Sequence, residues 1–286
     1  MIYILLSIFF FTGIFLIFKI IGKKNLPTLN IIVINYFVAA ILGNIQSSEN
    51  PINAFSQDWI YMAIIIGLLF FIFFIVLGIS AKLVGLSITT VAGKMSVVIP
   101  IIFSIIYYKE NVSILKTSGI ILAVLGVLFT VYKKTEETKK HKLSEFLIPL
   151  LLFIGMGFTD LLFKFSQHKY INENNIALFN SSLFYISFFS SLIYALFSKN
   201  HQSFFKKETI LYGILLGAVN YLGVLFFIKA LGTNIFDSSV IFGINNIGIV
   251  ILSVLLGLVL FKEKLSSINL VGVSISIAAI FMLSLS

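Results

Sequence analysis

The amino-acid sequence predicts an all-α integral membrane protein, with ten transmembrane helices forming two inverted five-helix repeats. Three observations carry that prediction. Hydrophobic residues make up 59% of the 286 positions and charged residues only 11%, and the mean hydropathy of +1.09 lies far outside the range of a soluble domain. Apolar runs of about twenty residues, the length a helix needs to cross the hydrocarbon core, recur from one end to the other. Two distant stretches also align with each other without a gap.

In order, the runs fall near residues 2–21, 29–46, 58–79, 84–107, 113–132, 145–166, 175–198, 208–231, 236–260 and 266–284. In lipid each must satisfy its own backbone N–H and C=O groups, which a helix does; the runs are too long for barrel strands and lack their alternation. The first, "MIYILLSIFFFTGIFLIF", has no basic leader and no small-residue cleavage site, so it is expected to remain as a helix. The breaks "GKKNLPTLN", "SSENPINAFSQD", "YKENVS", "KKTEETKKHK", "HKYINENN", "SKNHQSFFKKE", "KALGTN" and "KEKLSS" combine charge, amides, Gly or Pro. The formal charge of +9 resides in lysines at the ends of the runs, with no basic stripe on a polar face; it points to a membrane surface and away from nucleic acid. Cysteine is absent, which excludes disulfides and thiolate metal sites, and His141, His168 and His201 fall in predicted loops without ligand spacing. Neither a metal nor a cofactor is expected.

The internal repeat is the second organising feature. "YYKENVSILKTSGIILAVLGVLF" and "LVLFKEKLSSINLVGVSISIAAIF" match Lys109 to Lys262, Glu110 to Glu263, Ser113 to Ser266 and Gly119 to Gly272. Upstream, Leu77-Gly78 meets Leu231-Gly232, Phe18-Lys19 meets Phe163-Lys164, and Asn30 and Asn35 meet Asn175 and Asn180. The expected units are residues 1–132 and 145–286, joined by a basic linker over 133–144. An odd number of spans per unit makes the second copy enter the membrane upside down, an arrangement of transporters.

These residues resemble the drug/metabolite transporter superfamily in its ten-helix EamA-type form, over essentially the whole chain. The similarity rests on five plus five predicted helices, a Glu closing helices four and nine in "YYKEN" and "LFKEK", and a Gly opening the next helix. It implies a helical basket around a central cavity, with alternating access, that exports or exchanges a small organic metabolite, in the cytoplasmic (inner) membrane of a bacterium. Pro100 matches the usual proline of helix four, whereas its repeat counterpart is Ser253, which leaves a matching kink in helix nine in doubt. Counting loop lysines by the positive-inside rule puts both termini outside; the resemblance puts them in the cytoplasm.

Lys94, in "VAGKMSVVIP", is the residue that most needs a reason. It lies roughly 12 Å from the start of its predicted helix, too deep for easy snorkelling, and a charged ammonium there costs several kcal/mol unless it is compensated. A cavity lysine that binds an anionic or carboxylate group is one reading; a structural ion pair, or a lysine held neutral, is the other. Ala92 and Gly93 fall opposite Asn245 and Asn246 in the repeat, so polar groups sit at matching depth. Those two amides point about 100° apart, so one is expected to line the cavity and one to bridge helices. Asp160 is read three ways: counter-ion of Lys94, proton-coupling group, or partner of Lys164 one turn later. Asn35, Tyr36, Asn180, Asn220 and Tyr221 complete the candidate substrate-binding set, with interhelical hydrogen bonding as the alternative for each. For Glu110 and Glu263, a nearby Lys or a cap on the following helix is the plain reading and a gating pair the remote one.

The function expected is a secondary transporter of a small polar, zwitterionic or anionic organic metabolite, with proton or counter-substrate coupling left open. The partners are that small molecule and the lipid bilayer. A membrane-embedded enzyme or a channel is the alternative, but the sequence offers no nucleophile–base pair, metal-ligand cluster or phosphate-cradling loop.

Overall fold

A computed structural model describes residues 1–47, 50–107, 109, 112–132, 143–171, 175–197, 204–231 and 238–285. Glu110, His141, His201, Gly232 and most of the expected linker lie outside the described residues. Among those described, regular structure is helical: α1 Ile2–Lys23, α2 Thr28–Ser47, a short 3-10 turn Pro51–Ser56, α3 Ile60–Leu83, α4 Leu86–Met95 and α5 Val98–Tyr107. Then come α6 Ile114–Val131, α7 Leu143–Tyr170, α8 Ile176–Phe197, α9 Lys207–Leu231, α10 Ser238–Leu260 and α11 Ser267–Ser284. Counting α4 and α5 together, 9 helices among the described residues are long and apolar enough to cross a membrane, and α10 adds a shorter apolar helix.

The ends follow local chemistry. Pro27 cannot continue α1, which stops ahead of Asn25 in a left-handed conformation (φ 52°). Ser113 caps α6 by accepting from Lys116 N, and Ser266 caps α11 in a reciprocal box with Asn269. Lys109 and Lys262, matched in the repeat, share the same unusual left-handed backbone, φ 54° and 52°.

The predicted span over 84–107 is corrected in one respect. It is two helices, α4 and α5, separated by a turn at Ser96-Val97. Pro100 has no N–H to give to the carbonyl four residues earlier, so Ser96 O accepts instead from Ile99 N at 3.0 Å. At the matching place α10 carries Ser253 and runs on unbroken.

Packing joins the two halves at many places. α6 lies along α11, where Gly126 abuts Ser276 and Gly272 abuts Thr130 so closely that neither leaves room for a Cβ. α2 packs on α8 and α9, α1 on α9 and α10, α3 on α7 and α8, and α4 on α10 and α7. Outward faces stay apolar: Leu147, Leu151, Ile154 and Phe158 form one exposed stripe along α7, suited to lipid.

Candidate functional site

The polar centre forms where α4 breaks. Lys94 occupies the last turn of α4, half-buried, with Nζ 4.9 Å from the centroid of the Phe11 ring on α1. A cation–π contact is worth about 0.5–2 kcal/mol, less than the several kcal/mol that a charge at this depth costs. The Phe11 ring alone does not account for Lys94. Gly93 keeps the approach open: a Cβ there would meet Met156 Sδ at 3.2 Å and Phe15 at 3.7 Å, so α4, α7 and α1 converge beside the lysine.

Asp160 comes to this point from α7. It is exposed, yet it lies roughly 150° around the helix from the apolar stripe of Leu147 to Phe158. Its exposure is therefore inward. Ser96 Oγ lies 3.4 Å from Asp160 Oδ2, but the one hydroxyl hydrogen is better placed for Gly93 O at 2.6 Å, which leaves the carboxylate weakly bonded. Lys94 and Asp160 each feel the other's charge but form no ion pair; among the described residues the ion pairs are Lys19–Glu263 and Lys24–Glu208. Lys164, one turn further along α7, is exposed.

The two amides of α10 separate as their 100° offset requires. Asn245 is buried and accepts from Ser7 Oγ at 2.9 Å, tying α10 to α1. The Asn246 side chain makes no hydrogen bond among the described residues and is 9% exposed.

The remaining predicted residues do not join this centre. Asn35 and Asn220 bring their amides to 3.3 Å of each other between α2 and α9. Tyr36, fully buried, donates to Phe70 O at 2.8 Å. Both arrangements match the interhelical alternative, because each polar group already has a protein partner. Asn180 and Tyr221 line a separate cavity of about 60 Å³ between α2, α8 and α9, where Tyr221 donates to Gln46 Oε1 at 2.6 Å.

Of the readings given to Glu263, the nearby lysine is found, as Lys19, while its bonds to the start of α4 were not foreseen. Ser266 already caps the following helix, and Glu263 reaches back to the first half instead. Its carboxylate accepts from Leu86 N (2.5 Å), Ser87 N (3.1 Å) and Ser87 Oγ (2.8 Å), and pairs with Lys19 at 3.0 Å. Burial alone would raise the Glu263 pKa; the Leu86 and Ser87 amides, Lys19 and the Ser87 hydroxyl outweigh it and hold the group below its ordinary range. The available signals were Gly85, here at φ 99°, and the matching of Lys19 with Lys164 in the repeat.

Comparison with known proteins agrees with this architecture. Over 271 residues, 93% of this chain and 91% of the relative, the chain is 28% identical to an uncharacterized protein of Haemophilus influenzae (strain ATCC 51907 / DSM 11121 / KW20 / Rd). A protein of known crystal structure superposes with a TM-score of 0.63 at 13% identity, over 98% of this chain and 94% of that one, a likeness of fold. Residues 1–132 match the EamA-like transporter family. Together with the apolar helices, that match over the first 132 residues supports an integral membrane protein of the drug/metabolite transporter superfamily.

Proposed function

We propose that the chain is a secondary transporter that moves a small organic metabolite with an anionic group, zwitterions included, by alternating access. The observation that carries this reading is the inward exposure of Asp160 beside Lys94 at the broken helix: two opposite charges share an interior space without neutralising each other. Buried charges persist where a partner or a ligand compensates them. Lys94 holds the anionic group, Asn246 offers an unused amide from the facing helix, and Asp160 either receives a cationic group of the substrate or carries the coupling proton.

An inverted repeat of residues 1–132 and 145–286 is part of the proposal. Its support is that contacts between the halves come in exchanged pairs: α2 on α9 answers α8 on α3, α1 on α9 answers α7 on α3, and α1 on α10 answers α7 on α4–α5. Residence in a bacterial cytoplasmic membrane is also inferred. The test is counterflow in proteoliposomes, with solutes chosen by their effect on thermal stability in detergent. Trans-stimulated uptake of a labelled anionic or zwitterionic solute is expected; dissipation of a gradient without trans-stimulation would mean a channel.

A further inference from the structure

Both ion pairs among the described residues join the first half of the chain to the second, and both lie where α1 and α3 end and α4 begins. They differ in kind. Lys24–Glu208 is a surface pair with side chains 46% and 56% exposed, which solvent screens. Lys19–Glu263 is only 18% and 10% exposed, and both carboxylate oxygens are engaged by α4 as well. The backbone around it is shaped to the carboxylate. A Cβ at Gly85 would run into Glu263, and one at Gly257 would run into Ser87 Oγ and lie 2.7 Å from Glu263 Oε2. Glu263 also anchors its own loop, donating its N–H to Gly257 O at 3.0 Å.

We propose that this cradle is a gate: Glu263, held by Lys19 and the first amides of α4, seals one end of the path to Lys94 and leaves the cradle when that end opens. The inference rests on the transport reading above. Ser87, Thr90 and Lys94 stand at i, i+3 and i+7 on α4, so the gate and the central lysine lie along one stripe of a single half-helix. All the contacts converge on one carboxylate, so a single displacement releases them together. The loosened groups are polar, and entering water satisfies each of them. A joint such as Gly126 against Ser276, by contrast, would lose close packing with nothing to replace it.

The test uses the natural lack of cysteine. A single thiol is placed at Thr90, buried one turn below the cradle and outside it, and its rate of modification by a charged, membrane-impermeant reagent is measured. Thr90→Cys is expected to react slowly in the parent and about tenfold faster or more with Glu263→Gln or Lys19→Met, since loss of charge-assisted hydrogen bonds shifts an opening equilibrium by that much. A control thiol at Ala39→Cys, in the core of α2, is expected to stay slow throughout. No change at Thr90→Cys in either background would overturn the gate. So would a parallel rise at both thiols, which would make the cradle a brace for the whole fold. Labelling requires no substrate, so the two ideas fail separately: exchange without a labelling change removes the gate alone, and a labelling rise without exchange of any solute removes the transport reading.

Discussion

The segment α4–α5 and the helix α10 hold matching places in the sequence repeat and solve the same problem differently. The first is broken ahead of Pro100 and carries a charge, Lys94, at the end of its first half. The second runs unbroken through Asn245 and Asn246 and carries amides. At a break, Ser96 and Gly93 turn their polar groups on one another and Asp160 can approach across the helix interface. In the unbroken helix the backbone is consumed by its own ladder, so only side chains are left to act. The difference teaches that charge and irregular backbone are placed together, as general membrane-protein physics requires of polar groups away from lipid.

The largest expected effect comes from removing the charge on the broken side. Lys94→Met keeps most of the stem volume, so the protein should remain folded, while exchange should drop by about a hundredfold or more if a desolvated charge-assisted contact worth roughly 3 kcal/mol is lost. Retained exchange would make the lysine structural. Next, Ser253→Pro would impose on α10 the defect that α5 carries. It should cost about 3 kcal/mol of stability, read as a lowered unfolding midpoint in detergent. An unchanged midpoint would mean that α10 already tolerates a break there, and the contrast between the two elements would lose its force.

A smaller effect separates the two amides. Asn245→Ala deprives Ser7 of its nearer acceptor and should lower stability by about 1 kcal/mol. Asn246→Ala should leave the midpoint alone and weaken ligand-induced stabilisation. Reversal of that pattern would exchange the two roles.

The smallest effect is a pH dependence at the start of α4. The folded pKa of Glu263 lies below its unfolded value, so its contribution is full above the ordinary glutamate range and is lost as pH falls through the lowered folded value. The groups facing it are Lys19 and the non-titrating Ser87 hydroxyl and Leu86 and Ser87 amides. The midpoint difference between the parent and Glu263→Gln should therefore shrink on acidification, and a constant difference would contradict the assignment.

Much of the fold was legible because lipid leaves a chain few choices. Hydropathy located the spans, and Pro100, with Ser253 at its repeat counterpart, marked which of the two departs from a regular helix, though not that it divides in two. At the site, the position of Lys94 about two turns into its helix was readable from the chain alone. What was not readable depended on rotation and on distant partners. Nothing local tells whether Asn245 or Asn246 faces Ser7. The approach of the Asp160 carboxylate to Ser96 crosses a helix interface between residues 64 positions apart. Glu263 finds Leu86 at a separation of 177 positions, beyond any local pattern.

The central claim is that Lys94 contacts substrate and is not one half of a structural pair with Asp160. The direct measurement is a double-mutant cycle on Lys94→Met and Asp160→Asn, following both the unfolding midpoint and the binding of an exchanged anionic solute. The account predicts that Lys94→Met removes binding with little loss of stability, and that adding Asp160→Asn restores neither binding nor exchange. A large destabilisation by Lys94→Met that Asp160→Asn repairs, as expected when a buried pair is broken and its stranded charge then removed, would contradict it.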